Sequence, residues 1–491
     1  MVVEPRVYSV MIIIQNYING ELTAPEKGGF LDDFEPATGK LYAQCPDSSD
    51  GDLERAIDSA ESAYSDWSNM PAEQRSKIMT KLADLIDANA DALAKAEAID
   101  NGKPITFAKN VDIYRAAANI RFFSHATTQF ASESHGMENT AINYTLRDPI
   151  GIVACISPWN FPLYLFTWKI APALAVGNCV IAKPSEVTPM TAYLFSKLCI
   201  EAGLPPGVLN ILHGNGANIG AAITQHPAIK AISFTGGSAT GTLIKQTTAT
   251  TNKKLSLELG GKNPTLVFAD CDFDTTVKEV ARSAFSNQGQ ICLCGSRIYI
   301  ENSIYTKFTD ALVKEVNALR LGDPLDKDTQ FGALVSEAHQ NKVLSYIEIA
   351  KQSGGNILTG GKKQRLTGRC ENGYFVQPTL IAGLDNKSPC NQEEIFGPVA
   401  TIQPFQTEDE AIAFANDSIY GLACSVWSQD VSRCHRVAKQ IEAGIVWVNC
   451  WLLRDLRTPF GGVKASGQGR EGGLEAMHFF TETKNVCIKY G

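Results

Sequence analysis

Ala231-Ile232-Ser233-Phe234-Thr235-Gly236-Gly237-Ser238-Ala239-Thr240-Gly241 runs from a short apolar strand through a glycine turn into a helical stretch. A turn of this kind leaves backbone N–H groups free at the start of the helix, where they can hold an anion such as a pyrophosphate. The motif alone leaves an ordinary structural turn open, since glycine turns between strand and helix are common. On either side, short apolar strands alternate with helical stretches from Ile150 to about Asp270: Gly151 to Ile156, Cys179 to Ala182, Val208 to Leu212 and Thr265 to Phe268. That alternation signals a parallel sheet with crossover helices. The nearby run Gly214 to Gly220 has one residue too many for the dinucleotide fingerprint and reads as a structural turn.

A second alternating block extends from about Cys271 to Phe460, with strands at Arg297 to Ile300, Ala400 to Pro404 and Ile445 to Val448. Its expected crossover helices are Ile304 to Leu319, Glu337 to Ser353 and Glu408 to Asn416. The pattern predicts an α/β chain with two doubly wound parallel-sheet domains, divided near residue 260 by motif order alone. Ahead of both, Leu53 to Asn101 carries apolar residues at helical spacing, with Pro71 at a first helical turn and Gly102 as a stop. The apolar run Val10 to Ile14 is too short to span a membrane and passes into a turn-like segment at Asn16 and Tyr17. Met11 offers an alternative start, so residues 1–10 read as a possible over-long beginning.

The chain has 491 residues, enough for two or more cores, and 44% of them are hydrophobic. A formal net charge of −8 argues against nucleic acid or an anionic membrane as the main partner and favours a small molecule. Thirteen cysteines are an odd count, and Cys155, Cys179 and Cys424 sit within apolar runs. Buried free thiols in a reducing, cytoplasmic setting are the expectation.

Some further stretches carry potential chemistry. Asn287 to Gly295 contains Cys292 and Cys294, flanked by glycine and amides, in neither a metal nor a redox spacing. A thiolate there could attack a carbonyl, although composition alone favours a buried hydrophobe for either cysteine. Glu258 lies between leucines before Gly260-Gly261, where desolvation would raise its pKa as a general base requires. A salt-bridged acid at a boundary turn remains the other reading. Lys183-Pro184-Ser185-Glu186 closes a strand at the ligand-binding edge; Lys183 and Glu186 could reach a ribose, and Glu186 would repel an added 2′-phosphate, favouring NAD over NADP. An exposed acid at a helix start is the alternative for Glu186.

Taken together, Ser157 to Pro162, Lys183 to Glu186, Phe234 to Gly237, Glu258 to Lys262, Gln290-Ile291-Cys292, Glu394 to Pro398 and Pro459 to Gly462 resemble the aldehyde dehydrogenase superfamily in order and spacing. The resemblance covers nearly the whole chain. It implies a Rossmann-like NAD-binding domain at 1–124 and 150–260, a catalytic domain at 261–474, and a small β oligomerisation element at 125–149 and 475–491. It further implies Cys292 as the nucleophile, Asn160 with the Cys292 N–H as the oxyanion hole, and Glu258 as the base that activates water. The implied NAD site comprises Ile156, Ser157, Pro158, Trp159, Lys183, Ser185, Glu186, Phe234, Thr235, Gly236, Gly237, Gly241, Leu259, Glu394 and Phe396, with Glu394 and Phe396 positioning the nicotinamide ribose and ring. Hydrolysis rather than transfer to coenzyme A follows from Glu258, no metal is required, and a homodimer or homotetramer is expected.

Asn449 to Arg457, just before Pro459, resembles the branch that oxidises 2-aminomuconate and 2-hydroxymuconate semialdehydes. There Arg454, with Arg115 on the opposite wall, would grip a substrate carboxylate, beside Phe161 and Phe460. Either arginine could instead pair with Asp112 or Asp455. Betaine aldehyde or plain aliphatic aldehydes remain alternative substrates, and an acylating dehydrogenase or a catalytically silent binding protein on the same fold remain alternative functions.

Overall fold

Ile152–Ile156 and Cys179–Lys183 are buried along their whole length, the pattern of strands covered on both faces by helices. In the computed structural model, which describes residues 11–491, they form the centre of a doubly wound sheet. Five parallel strands run in the order Lys254–Glu258, Ile229–Thr235, Ile152–Ile156, Cys179–Lys183, Leu209–Ile211. Chain order reverses between Ile152–Ile156 and Ile229–Thr235, and such a switch point opens a crevice at the carboxyl ends of the strands. Ile156, Phe234 and Leu257 stand side by side there, one register step before Thr235 and Glu258.

The segment at Asn16 and Tyr17, expected to be turn-like, is instead a strand. Asn16–Ile18 is fully buried and pairs antiparallel with Glu21–Thr23 and Leu209–Ile211. The turn lies at Asn19-Gly20, both at positive φ. Asn16 is tolerated in the strand because Ser48 Oγ accepts from its amide and the amide oxygen accepts the His213 N–H, partners far away in sequence. The over-long start and the opening of the 1–124 range fall on residues 1–10, outside the described residues. Helices Asp50–Asn69, Ala72–Ala88 and Ala90–Asn101 follow, the last ending on Gly102 at φ 85°.

A second sheet contains six parallel strands, Thr379–Ala382, Val399–Phe405, Arg297–Glu301, Pro264–Val267, Ala423–Trp427 and Ile445–Val448, with Asn356–Thr359 antiparallel at one edge. The strand expected at Thr265 to Phe268 as part of the first alternating block therefore belongs to this sheet, because its partners are Arg297–Glu301 and Ala423–Trp427. An apolar run does not encode which sheet it joins. Conversely, Gly467–Gln468 crosses back to pair with Lys254–Glu258 of the first sheet. Helices Tyr305–Asn317, Glu337–Gln352 and Glu408–Asn416 lie close to their expected bounds.

Ser134–Met137, Ala141–Pro149 and Thr481–Lys489 form a separate antiparallel sheet. Met137, Leu146 and Ile488 are exposed on it. The cysteines of the described residues are unbonded, and Cys155, Cys179 and Cys424 are buried. Among the described residues no helix is long and apolar enough to cross a membrane.

Candidate active site

Helix Phe273–Phe285 ends in a turn where Asn287, Gln288 and Gly289 all take left-handed conformations, at φ 50°, 56° and 70°. Three such residues in succession are costly unless the surroundings fix them. Here side-chain amides do so. Asn287 donates to Asn160 O at 3.0 Å, Gln288 to Ala333 O at 2.9 Å, and Gln290 accepts the Val335 N–H at 3.0 Å. Asn263 donates to the carbonyls of Cys292 and Cys294, at 2.6 and 2.9 Å. A Cβ on Gly289 would collide with the Gly397 carbonyl, so glycine is required. The turn delivers the half-buried Cys292 to the junction of two cavities of about 240 and 260 Å³, both of which it lines. Cys294 lines neither.

Asn160 borders the first cavity. It is buried and donates Nδ2 to Gln290 O at 3.0 Å, leaving the second amide hydrogen uncommitted. Among the described residues nothing accepts the Cys292 N–H. Glu258 borders the second cavity. It ends the strand Lys254–Glu258, and among the described residues neither of its carboxylate oxygens has a hydrogen-bond partner. Burial pushes its carboxyl well above the ordinary range; Glu471 adds to this, while Lys169, Arg454 and Arg470 oppose it. Burial, then Glu394 and Glu258, push the Cys292 thiol up as well. Burial at the junction thus disfavours the charged form of both the thiol and the carboxyl.

The first cavity opens beneath the glycine turn and is lined by Pro158, Trp159, Thr235, Gly236, Gly237, Leu259, Glu394 and Phe396. Helix Ser238–Thr248 starts there without a side-chain cap, a Cβ on Gly237 would meet nothing within 4 Å, and among the described residues the buried Thr235 Oγ1 and Ser238 Oγ have no hydrogen-bond partner. Orphaned donors at an uncapped helix start fit a pyrophosphate. Beyond the turn, Ile156, Lys183, Glu186 and Phe234 line a cavity of about 400 Å³. Glu186 accepts from Lys183 at 3.1 Å and from the Gly216 N–H at 3.3 Å. Burial acts to raise its carboxyl, but Lys183 and the N–H donors outweigh burial and hold it ionised, as a ribose acceptor must be. These residues fit a dinucleotide spanning the two cavities.

Ser157, Ser185 and Gly241 line none of these cavities. Ser157 is buried, Ser185 Oγ accepts from Val187 N, and Gly241 packs under Leu259, whose side chain a Cβ would strike. Glu394 accepts the Gly261 N–H at 2.8 Å, and Phe396 sits at φ 60° with its ring edge-on to Trp159.

The second cavity collects Arg115, Phe161, Arg454 and Phe460 with Glu258. The carboxylates next to the arginines in sequence are taken elsewhere: Asp112 pairs with Lys103 at 2.6 Å and Asp455 with Arg457 at 2.6 Å. Among the described residues neither Arg115 nor Arg454 forms an ion pair. Arg454 instead stacks 3.9 Å from the Phe460 centroid and 4.7 Å from Trp168, and donates to Tyr164 Oη at 2.7 Å. Arg115 lies 5.9 Å from the Tyr164 ring. Both charges remain available to an anionic ligand.

Sequence reading missed several residues. His339 and Lys342 line the first cavity from helix Glu337–Gln352; burial lowers the His339 pKa to about 4, and its neutral ring donates Nε2–H to Phe396 O. Gly216, dismissed as part of a structural turn, presents its N–H to Glu186. Lys169 and Glu471, paired at 2.7 Å, back the second cavity. No local pattern announced these, although the spacing of Gly214 to Gly220 was a partial signal.

Comparison with known proteins gives a consistent picture. The profile of the "Aldehyde dehydrogenase family" matches residues 23–486. The chain is 48% identical to 2-aminomuconic semialdehyde dehydrogenase of Danio rerio, covering 98% of this chain and 99% of that protein. It is 43% identical to 2-hydroxymuconic semialdehyde dehydrogenase of Pseudomonas sp. (strain CF600), covering 97% and 99%. The NAD+ complex of an aldehyde dehydrogenase from Bacillus cereus superposes with a TM-score of 0.95 at 38% identity, covering 99% of each chain.

Proposed function

Since the chain belongs to the aldehyde dehydrogenase family as an NAD-dependent, non-acylating member, we propose that Cys292, Glu258 and Asn160 carry its chemistry and that its substrate is a carboxylate-bearing semialdehyde. The observation that carries this reading is the position of Cys292 where the dinucleotide cavity meets the arginine-lined one. With its proton released to water, the Cys292 sulfur adds as a thiolate to the aldehyde carbon, and the resulting oxyanion is held by Asn160 Nδ2 and the Cys292 N–H. NAD, held by the residues of the first cavity and of the cavity beyond the glycine turn, would supply the hydride acceptor whose use leaves a thioester on Cys292. Glu258 then removes a proton from water attacking the thioester, the acid leaves, and the Cys292 sulfur is regenerated.

The substrate class follows from Arg454 and Arg115. Guanidinium groups that form no ion pair among the described residues, one of them lying over the rings of Phe460 and Trp168, suit a carboxylate at the far end of the aldehyde. The names of the similar proteins, 2-aminomuconic and 2-hydroxymuconic semialdehyde dehydrogenase, agree with that chemistry. A cationic aldehyde would be repelled. We further propose that the first sheet with its helices is the NAD-binding domain and the second the catalytic domain. The small antiparallel sheet would join subunits into a homodimer or homotetramer, in the cytoplasm.

A panel of aldehydes assayed with NAD and without coenzyme A tests this reading. NADH and free acid should form in equal amounts, fastest with a muconate semialdehyde, slower with a neutral aliphatic aldehyde and slowest with betaine aldehyde. Faster turnover of betaine aldehyde than of the semialdehyde overturns the substrate assignment.

A further inference from the structure

The loop that carries Asn160 rests on a buried lysine that the chemistry above does not use. Where helix Ala90–Asn101 ends, the turn Asn101-Gly102-Lys103 runs beneath Trp159-Asn160-Phe161 and holds each of the three. Asn101 Nδ2 donates to Trp159 O at 2.8 Å, Lys103 Nζ donates to Asn160 O at 2.8 Å, and the same ammonium lies 4.6 Å from the Phe161 ring centroid. The Asn160 carbonyl also accepts from Asn287 of the cysteine turn at 3.0 Å. One peptide oxygen thereby joins the nucleophile's turn to Lys103.

Lys103 faces two carboxylates, Asp112 Oδ2 at 2.6 Å and Glu97 Oε1 at 3.7 Å, and all three side chains are fully buried. Burial, reinforced by Asp112, pushes the Glu97 carboxyl well above its ordinary range against the pull of Lys103. A protonated Glu97 leaves one cation balanced by one anion. Asp112 belongs to the π-helical turn Ala108–Ile113, which leads directly into helix Tyr114–Ala126 and its second residue, Arg115. π-helical turns are uncommon and concentrate at functional sites. A buried ion pair stabilises a fold poorly compared with apolar packing, and here it links the loop of Asn160, at the first cavity, to the turn that leads into Arg115, at the second.

We propose that Lys103 is a positioning residue for both ends of the substrate: its ammonium clamps the Asn160 peptide to Asp112, so that one buried cation sets the oxyanion donor and the turn presenting Arg115. This rests on the roles given above to Asn160 and Arg115. A shift of about an ångström at a reacting centre typically costs on the order of a hundredfold, so the clamp acts on turnover and leaves NAD binding alone.

The test is a double-mutant cycle. Lys103→Met is combined with Glu97→Gln and Asp112→Asn, so that no unpaired buried charge remains, and placed in the wild-type and Asn160→Ala backgrounds. NAD binding, followed by quenching of intrinsic fluorescence, should be unchanged. With a neutral aldehyde kcat should fall roughly 10- to 100-fold in the wild-type background but less than about threefold with Asn160→Ala, because the two changes remove one function. Equal losses in both backgrounds, or weakened NAD binding, overturn the clamp. No loss from Asn160→Ala alone overturns the role of Asn160 and not that of Lys103. Should the triple variant fail to fold, Asp112→Asn decides: it should lower the ratio of kcat/KM for acidic over neutral aldehyde at least about threefold, and an unchanged ratio overturns the proposal.

Discussion

The two cavities that meet at Cys292 are built in opposite ways. The dinucleotide side is mainly backbone and glycine: a strand end, an uncapped helix start at Ser238, and Gly260-Gly261 packed against Glu394. The second cavity is made of long side chains from remote segments, with Arg115 from one helix, Tyr164 and Trp168 from another, and Arg454 and Phe460 from a loop near the C-terminus. A shared cofactor constrains main-chain geometry, whereas substrate choice can change through single side chains without disturbing it. The difference implies that variants on one side should alter cofactor handling, variants on the other should alter substrate ranking, and only residues at the junction should stop both substrates.

Cys292→Ala should have the largest effect, lowering turnover of every aldehyde by at least roughly ten-thousandfold while NAD still binds. Equal loss from Cys294→Ala, measured in the same assay, would break the assignment. Next, Glu258→Ala should retain a burst of NADH but slow steady-state release of acid by about 10²- to 10³-fold. An unchanged steady-state rate removes Glu258 from its role.

The raised Glu258 carboxyl also sets a pH dependence. The base must be ionised, so acid release should climb as pH rises through its elevated pKa and fail below it. Because Arg454 opposes that elevation, Arg454→Met should move the acid limb of the profile to higher pH. An acid limb that stays in place would detach Arg454 from the base.

Smaller and more selective, Arg454→Ala, assayed above the acid limb of both enzymes, should cut kcat/KM for the acidic semialdehyde at least about tenfold and barely alter that for a neutral aldehyde; equal losses on both would show that the second cavity does not read charge. Glu186→Ala should narrow the preference for NAD over NADP by roughly two- to fivefold, modestly because the partly exposed carboxylate is screened. A constant ratio leaves cofactor choice to other residues.

Much of the site was legible because its chemistry is local. The run Phe234 to Gly241, the acid between leucines at 258 and the amide-rich turn around Cys292 each stand out from adjacent residues, although the last takes its shape only with remote partners such as Asn160 and Ala333. Residues that reach the site from afar gave little sign. His339 and Lys342 sit on an amphipathic helix like any other, and Lys103 looks like a surface lysine after a helix stop. Asn16 read as part of a turn because its partners Ser48 and His213 are remote.

By itself, then, the sequence determined the alternation of strands and helices and the glycine turn, since periodicity and backbone conformation depend on near neighbours, and through its family resemblance it nominated Cys292, Glu258 and Asn160 as the residues to test. The tertiary structure decided that Pro264–Val267 joins the second sheet and Gly467–Gln468 the first. It also decided which charges are spent and which remain free. Asp112 and Asp455 were candidate partners for Arg115 and Arg454 by proximity in sequence, yet Lys103 and Arg457 hold them. Asp455 is taken by a neighbour in its own loop. The buried pair of Lys103 and Asp112, however, forms only because the turn after one helix packs against the start of the next, and distance and burial in space set its strength.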